Sequence, residues 1–104
     1  MNIRFYFQEI NKVGQEELEK HLGEKKLDRL TRLFQYGNLE LAKFVLNAKY
    51  HRYHNIFVVR LGLEIAKNNL EAEEVSQNLI EAFDLAFDNL IGQLRKLENI
   101  KHDK

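Results

Sequence analysis

The sequence predicts an α+β two-layer sandwich in which both helices cover one face of a mostly antiparallel four-stranded sheet. Four segments alternate apolar and polar residues with the period of a half-buried strand. Two longer segments repeat their apolar residues every three to four positions, as an amphipathic helix does. Their order along the 104 residues is β-α-β-β-β-α. We therefore expect one domain over residues 1–104, which is close to the commonest domain size.

The first half of the chain begins with a strand and continues into a helix. Alternation predicts the strand over Asn2–Ile10, and the longer period predicts the helix over Gln15–Phe34. Gly23 indicates a bend or close packing within that helix, and the stretch Tyr36-Gly37-Asn38 ends it. The predicted inward side chains are Ile3, Phe5 and Phe7 on the strand and Leu18, Leu22, Leu27, Leu30, Leu33 and Phe34 on the helix.

The middle of the chain predicts an antiparallel pair of strands. The second strand covers Ala42–Tyr50, a turn follows at His51–Asn55, and the third strand covers Ile56–Ile65. Lys67-Asn68-Asn69 is typical of a tight hairpin, because Asn tolerates a positive φ. The expected inward residues are Ala42, Phe44, Leu46 and Ala48, then Phe57, Val59, Leu61, Leu63 and Ile65.

Residues Leu70–Val75 allow two interpretations. They alternate as a short fourth strand, yet Asn68 followed by Glu71 also resembles the start of a helix. We favour the strand, because Ser76 can cap a later helix and the third strand otherwise lacks a hairpin partner. The last helix is then expected over Gln77–Leu97, with an inner stripe of Leu79, Phe83, Phe87, Leu90, Leu94 and Leu97.

Composition excludes several classes of protein. The chain is 44% hydrophobic and 31% charged, which is typical of a globular protein rather than a disordered one. It has no Cys, so disulfides, Cys-ligated zinc and a thiol nucleophile are excluded. No apolar run approaches the roughly 18 residues of a membrane span, and the N-terminus lacks a signal-peptide pattern. We expect a cytoplasmic protein without a membrane partner.

Charge is balanced over the whole chain, with 16 Lys plus Arg against 16 Asp plus Glu. This balance argues against a strongly basic nucleic-acid binder, although local patches still act within about 8 Å at physiological salt. Where the cations lie is therefore more informative than their sum.

The sequence offers little for catalysis or metal binding. His51 and His54 have no third ligand nearby, so they make a poor metal site. Asp84 and Asp88 lie one helical turn apart without a His or Ser at a matching spacing, and Ser76 is expected to be a cap. We expect no enzyme, no cofactor and no metal.

Two groups of cations are candidates for binding phosphate. On the first helix, Lys25, Arg29 and Arg32 recur at spacings of four and three with Lys26 beside them, although an intrahelical pair from Asp28 to Arg32 also fits a merely solvated face. The second group consists of Lys49, His51, Arg52 and His54, interleaved with two tyrosines at a loop tip. That mixture suits phosphates and unpaired bases, and a solvated turn is the alternative.

The last helix resembles a known family. Its residues are similar to successive short motifs in the last helix of the ribosome hibernation-promoting factors, which include ribosome-associated inhibitor A. These residues are Asn78-Leu79-Ile80, Ala82-Phe83-Asp84, Asp88-Asn89-Leu90, and Gly92-Gln93-Leu94 with Lys96. Lys26-Leu27-Asp28 is similar to a step in that family's first helix. The chain departs from the pattern where Asn89 stands for Lys, Gly92 for Arg and Glu98 for a tail Lys.

The resemblance implies a factor that silences translation by occupying the decoding region of the small ribosomal subunit. It implies rRNA as the partner, a short form of the family, and a monomer or at most a weak homo-oligomer. The phosphate contacts expected on this basis are Lys25, Lys26, Arg29, Arg32, Lys49, His51, Arg52, His54, Arg95, Lys96 and Lys101. The alternative is a protein-interaction module on the same scaffold, using Tyr6, Val45 and Val58 on the outer sheet face.

Overall fold

The computed structural model describes residues 2–33, 41–65 and 68–102, without the side chains at 24, 25, 31, 33 and 98–102. Within these residues, four strands form one sheet in which they lie in chain order. The strands are β1 (Asn2–Gln8), β2 (Lys43–His51), β3 (Ile56–Ile65) and β4 (Asn68–Ser76). β1 pairs with β2 in parallel, and the other two pairings are antiparallel. The predicted α+β class and mostly antiparallel sheet are confirmed.

The first helix, α1 (Lys12–His21), begins earlier than the predicted Gln15. Glu9 has a φ of 59°, which ends β1 before the predicted Ile10. The side chain of Asn11 then accepts a hydrogen bond from the backbone N–H of Gly14 at 2.7 Å. Asn is among the strongest N-caps, so the helix starts at this residue rather than at the first apolar repeat.

α1 continues through a π-helical segment, Leu22–Lys26, into α2 (Leu27–Leu33). The backbone N–H of Leu27 donates to the carbonyl of Leu22, five residues back, which inserts one residue into the helical turn. This segment contains Gly23, where the sequence indicates a bend or close packing. The predicted helix end at Phe34 and the break at Tyr36-Gly37-Asn38 lie outside the described residues.

Residues 70–75 belong to a strand, so the favoured interpretation is confirmed and the helical alternative is wrong. Asn68 and Asn69 are already part of β4, opposite Ile65 and Glu64, rather than part of the predicted turn. The predicted Ser76 cap is also wrong. Asn78 caps α3 (Leu79–His102), because its side chain accepts from the backbone N–H of Glu81 at 3.1 Å.

The core lies between the helices and the inner face of the sheet, as predicted. Phe44, Phe83 and Phe87 are its largest fully buried side chains, whereas Leu97 of the predicted stripe is only half-buried. Among the described residues, the outer sheet face is exposed to solvent, for example at Tyr6 and Val75. No helix in the described part of the chain is both long and apolar enough to cross a membrane.

Candidate functional site

Two aspartates of α3 meet cationic side chains of the first helical segment. The Nε2 atom of His21 lies 2.7 Å from Oδ1 of Asp84, and Nζ of Lys26 lies 3.4 Å from the same oxygen. One turn further along α3, Nη1 of Arg29 lies 3.4 Å from Oδ1 of Asp88. We call these five residues the helical cluster. The i,i+4 spacing of the aspartates therefore places both carboxylates against the neighbouring helix.

The π-helical segment brings Lys26 to this cluster. On a regular α-helix, His21 and Lys26 would be about 140° apart around the axis, because five residues make about 1.4 turns. The wider turn at residues 22–26 reduces the rotation per residue, so both side chains reach Asp84. Lys26, which the sequence places beside the stripe of Lys25, Arg29 and Arg32, therefore points toward α3.

Lys26 and Arg29 differ in how readily they could change partner. The Lys26 side chain is only 20% exposed, and its ammonium lies 5.3 Å from the centre of the Phe87 ring. Arg29 and Asp88 are 42% and 63% exposed, and such surface pairs contribute only about 0.2–1 kcal/mol. Arg29 can exchange its carboxylate for a phosphate at small cost, whereas Lys26 is held in the packing.

The remaining helical cations are placed less closely. Arg32 is exposed and forms no ion pair with Asp28 in the described part of the chain. Arg95 and Lys96 are exposed on α3. The side chains of Lys25 and Lys101 lie outside the described residues.

Two amide side chains of α3, Asn89 and Gln93, bind the edge strand β4. Asn89 donates from Nδ2 to the Glu74 carboxylate at 3.3 Å. Gln93 donates to the carbonyl of Glu71 at 2.7 Å and to Oδ1 of Asn89 at 3.0 Å. Asn89 thus helps to fasten α3 to the edge strand β4, which gives the departure from Lys a structural role.

Gly92 offers a direct test of the missing charge. It is exposed within α3, and a Cβ there would have no neighbouring atom within 4 Å. Replacing it with Ala or Arg should stabilise the helix by up to about 1 kcal/mol. Only Gly92→Arg should also tighten binding to RNA, by up to about tenfold for one added phosphate contact of roughly 1.4 kcal/mol.

The matched variant Gly92→Ala separates charge from helix stability. Urea denaturation and small-subunit binding should be measured for both substitutions. Equal binding by the two variants would show that position 92 does not face phosphate.

The β2–β3 hairpin holds the second group of cations. Arg52 is 77% exposed, and Nη2 lies 3.4 Å from Oε2 of Glu9. Tyr53 is 97% exposed at the tip. Tyr50 instead packs against Phe57, with ring centres 4.9 Å apart, and its hydroxyl donates to Asn55 at 2.6 Å. Tyr53 is therefore free to stack on a base, and the second tyrosine of the predicted cluster is not.

The hairpin cations and the α3 cations Arg95 and Lys96 lie toward opposite ends of the sheet. The hairpin lies where β1, β2 and β4 end, while Arg95 and Lys96 follow Gln93, which bonds near the start of β4. β3 joins these ends with 10 residues, or about 30 Å. A nucleic acid that contacts both groups must extend along most of the protein.

Both aspartates of α3, Asp84 and Asp88, have partners on the neighbouring helix. Within residues 2–33, 41–65 and 68–102, no three His, Asp or Glu side chains are grouped so that they could hold a metal ion.

Sequence reasoning missed His21 and the amide link between α3 and β4. His21 is 63 residues from Asp84 along the chain, and its ring centre also lies 5.6 Å from that of Phe83 in an edge-to-face contact. Local spacing carries no signal for such a contact. The Asn89–Gln93 spacing of four is a local signal that could have indicated a paired amide face.

The chain was compared with known families and structures. A family described as sigma 54 modulation protein / S30EA ribosomal protein matches residues 10–101. No curated protein matches the chain. The Protein Y N-terminal domain of Thermus thermophilus is similar at 21% identity, over 93% of this chain and 99% of that one, with a TM-score of 0.70. A ribosomal subunit interface protein from Coxiella burnetii is similar at 20% identity, over 95% and 99%, with a TM-score of 0.72.

Proposed function

The chain belongs to the sigma 54 modulation protein / S30EA ribosomal protein family, and we propose that it binds the ribosome and inhibits translation from the decoding region of the small subunit. The observation that carries this proposal is the family match over residues 10–101, which includes nearly all of the helical layer and three of the four strands. One structure of similar fold is named a ribosomal subunit interface protein, which supports the same partner. The proposed role is non-catalytic and cytoplasmic, and is carried out by a monomer or at most a weak homo-oligomer.

We call the surface formed by α2 and α3 the helical side. Phosphates of rRNA are the ligands that we propose for it. Arg29, Arg32, Arg95 and Lys96 supply side chains that water, and therefore RNA, can reach. Arg29 releases Asp88 to do so, because an exposed pair is weak. Lys26 contributes by holding Asp84 and the helix pair in place rather than by direct contact.

Co-sedimentation with purified small subunits tests this proposal. The protein should co-sediment at low salt and be released as salt rises, with a slope of roughly 0.7–0.9 in log affinity per phosphate neutralised. About four contacts therefore predict a slope near −3. Folded protein that stays in the supernatant at low salt would rule out ribosome binding, and a slope near zero would rule out phosphate contacts.

The hairpin gives a separate prediction. Joint replacement of His51, Arg52 and His54 by Ala should weaken small-subunit binding, because it removes the exposed Arg52 charge and two polar rings from the tip. Stability should change little, because the Arg52–Glu9 pair is exposed.

Tyr53→Ala tests the exposed ring separately and should also reduce affinity, without removing any cation of the hairpin. Stacking on one base contributes about 1–3 kcal/mol. Unchanged affinity in the triple variant would show that the hairpin does not contact the small subunit.

A second candidate function is protein binding by the outer sheet face. Tyr6 and Val75 are half-exposed there, and a depression of about 320 Å³ lies over Gly62, next to Val45. Under this alternative, substitutions on the outer face should abolish partner binding and those on the helical side should not.

A further inference from the structure

A groove runs across the end of the molecule where α1 and α3 begin. It consists of two depressions of about 510 and 660 Å³ that share Glu17, Phe57 and Leu79. The first lies between the N-terminus of α1 and the β2–β3 hairpin, and the second follows the first turns of α3. We call this surface the acidic groove.

The floor of the acidic groove is apolar and remains open to solvent. Ile10, Phe57 and Leu79 line its centre. Val13 is 71% exposed at one end, and Leu85 is 43% exposed at the other. Large apolar side chains so exposed on one continuous surface indicate a binding site more often than isolated ones do.

The rim of the groove carries charge of one sign. Among the described residues, five carboxylates and no Lys, Arg or His line the two depressions. Three of them have a cationic neighbour, at Glu9, Asp84 and Asp88. Glu17 and Glu81 form no ion pair among the described residues. Beyond Glu17 the surface changes sign at Lys20, which bounds the groove on that side.

We propose that the acidic groove binds a cationic polypeptide segment of a partner protein, with an aliphatic side chain on the apolar floor and Lys or Arg beside Glu17 and Glu81. Complementary charge is the argument for this occupant, because a low-dielectric concave surface of one sign concentrates the opposite charge. The same charge disfavours RNA at Glu17 and Glu81, where phosphates would meet carboxylates that have no ion pair among the described residues.

This proposal goes beyond ribosome binding through rRNA and can fail independently of it. The groove shares no residue with the exposed cations Arg32, Arg95 and Lys96, and it adjoins Arg29 and Arg52 only through their partners Asp88 and Glu9. A molecule with both surfaces could hold RNA on one side and a protein tail on the other.

A synthetic peptide of alternating Lys and Leu, eight residues long and fluorescently labelled, is the probe. The full chain should bind it with amide NMR shifts concentrated at Val13, Glu17 and Leu85. Joint Glu17→Lys and Glu81→Lys substitution should weaken binding by about tenfold or more, as loss of roughly 1.4 kcal/mol implies. Glu17→Gln with Glu81→Gln is the milder variant if charge reversal disturbs folding.

The matched control reverses two acidic residues on the outer sheet face, Glu71→Lys and Glu73→Lys, and should leave affinity within about twofold. If both charge-reversed variants lost affinity for the peptide equally, the effect would come from net charge alone, and this would overturn the proposal. So would equal binding of a peptide with Ser in place of Leu. The same NMR shifts on concentrating the protein alone would identify a second copy as the occupant and likewise overturn it.

Discussion

Reversing three cations of the helical side, with Arg29→Glu, Arg95→Glu and Lys96→Glu together, should lower affinity for the small ribosomal subunit on the order of a hundredfold. Three lost phosphate contacts of about 1 kcal/mol each amount to roughly 3 kcal/mol, and every 1.4 kcal/mol is tenfold. The side chains are exposed or partly exposed, so the fold should tolerate the change. Binding should be measured by sedimentation at fixed salt, with circular dichroism to confirm folding.

An equal change of charge on the outer sheet face is the matched control. Arg4→Glu, Lys43→Glu and Arg60→Glu alter three exposed cations on β1, β2 and β3. This variant has the same net charge as the first, so any difference in affinity reports position. Stronger loss in the control would transfer the interface to the outer sheet face and favour the second candidate function.

Phe87→Ala should destabilise the protein by about 3–5 kcal/mol. The ring is fully buried, its centre lies 5.7 Å from that of Phe83, and the Lys26 ammonium lies over it. Truncation leaves a cavity beneath the helical cluster and removes the apolar support of that Lys. A loss of this size is a large part of the roughly 5–15 kcal/mol that stabilises a typical domain.

Leu85→Ala is the control on the same helix, because Leu85 is 43% exposed. Its expected cost is below about 1 kcal/mol. Urea denaturation of both variants checks the pair. A cost below 1 kcal/mol for Phe87→Ala would contradict the placement of α3 over the sheet.

Strands and helices could be predicted because their signals are local. The alternation that ends at Ile65 and the stripe through Phe83 and Leu94 require only neighbouring residues. The helix starts were displaced where a single side chain decides them. Asn11 and Asn78 cap α1 and α3, whereas the sequence patterns predict that these helices begin at Gln15 and Gln77.

The helical cluster could be predicted only in part. Asp84 and Asp88 stand out because two acids recur on one face, and the structure shows that they bind cations of the neighbouring helix. Which cations they bind depends on the extra residue in the π-helical segment, and no sequence period indicates it. The contact between Lys26 and Asp84 could not be predicted for that reason.

The distance between the hairpin cations and the α3 cations also cannot be predicted from local patterns. Arg52 and Lys96 are each recognisable as a cation in a basic stretch, but their distance depends on strand directions. The acidic groove is hidden for a similar reason, since Glu17 and Glu81 come from different helices that begin at the same end of the sheet.

Directed hydroxyl-radical cleavage from single cysteines tests the central claim most directly. The chain has no Cys, so an iron chelate can be tethered at one chosen position. Gly92→Cys places it on the helical side, and Val75→Cys places it on the outer sheet face. With small subunits, position 92 should cleave rRNA of the decoding region more strongly than position 75 does. Stronger cleavage from position 75, or cleavage confined to rRNA outside the decoding region, would contradict the proposed function.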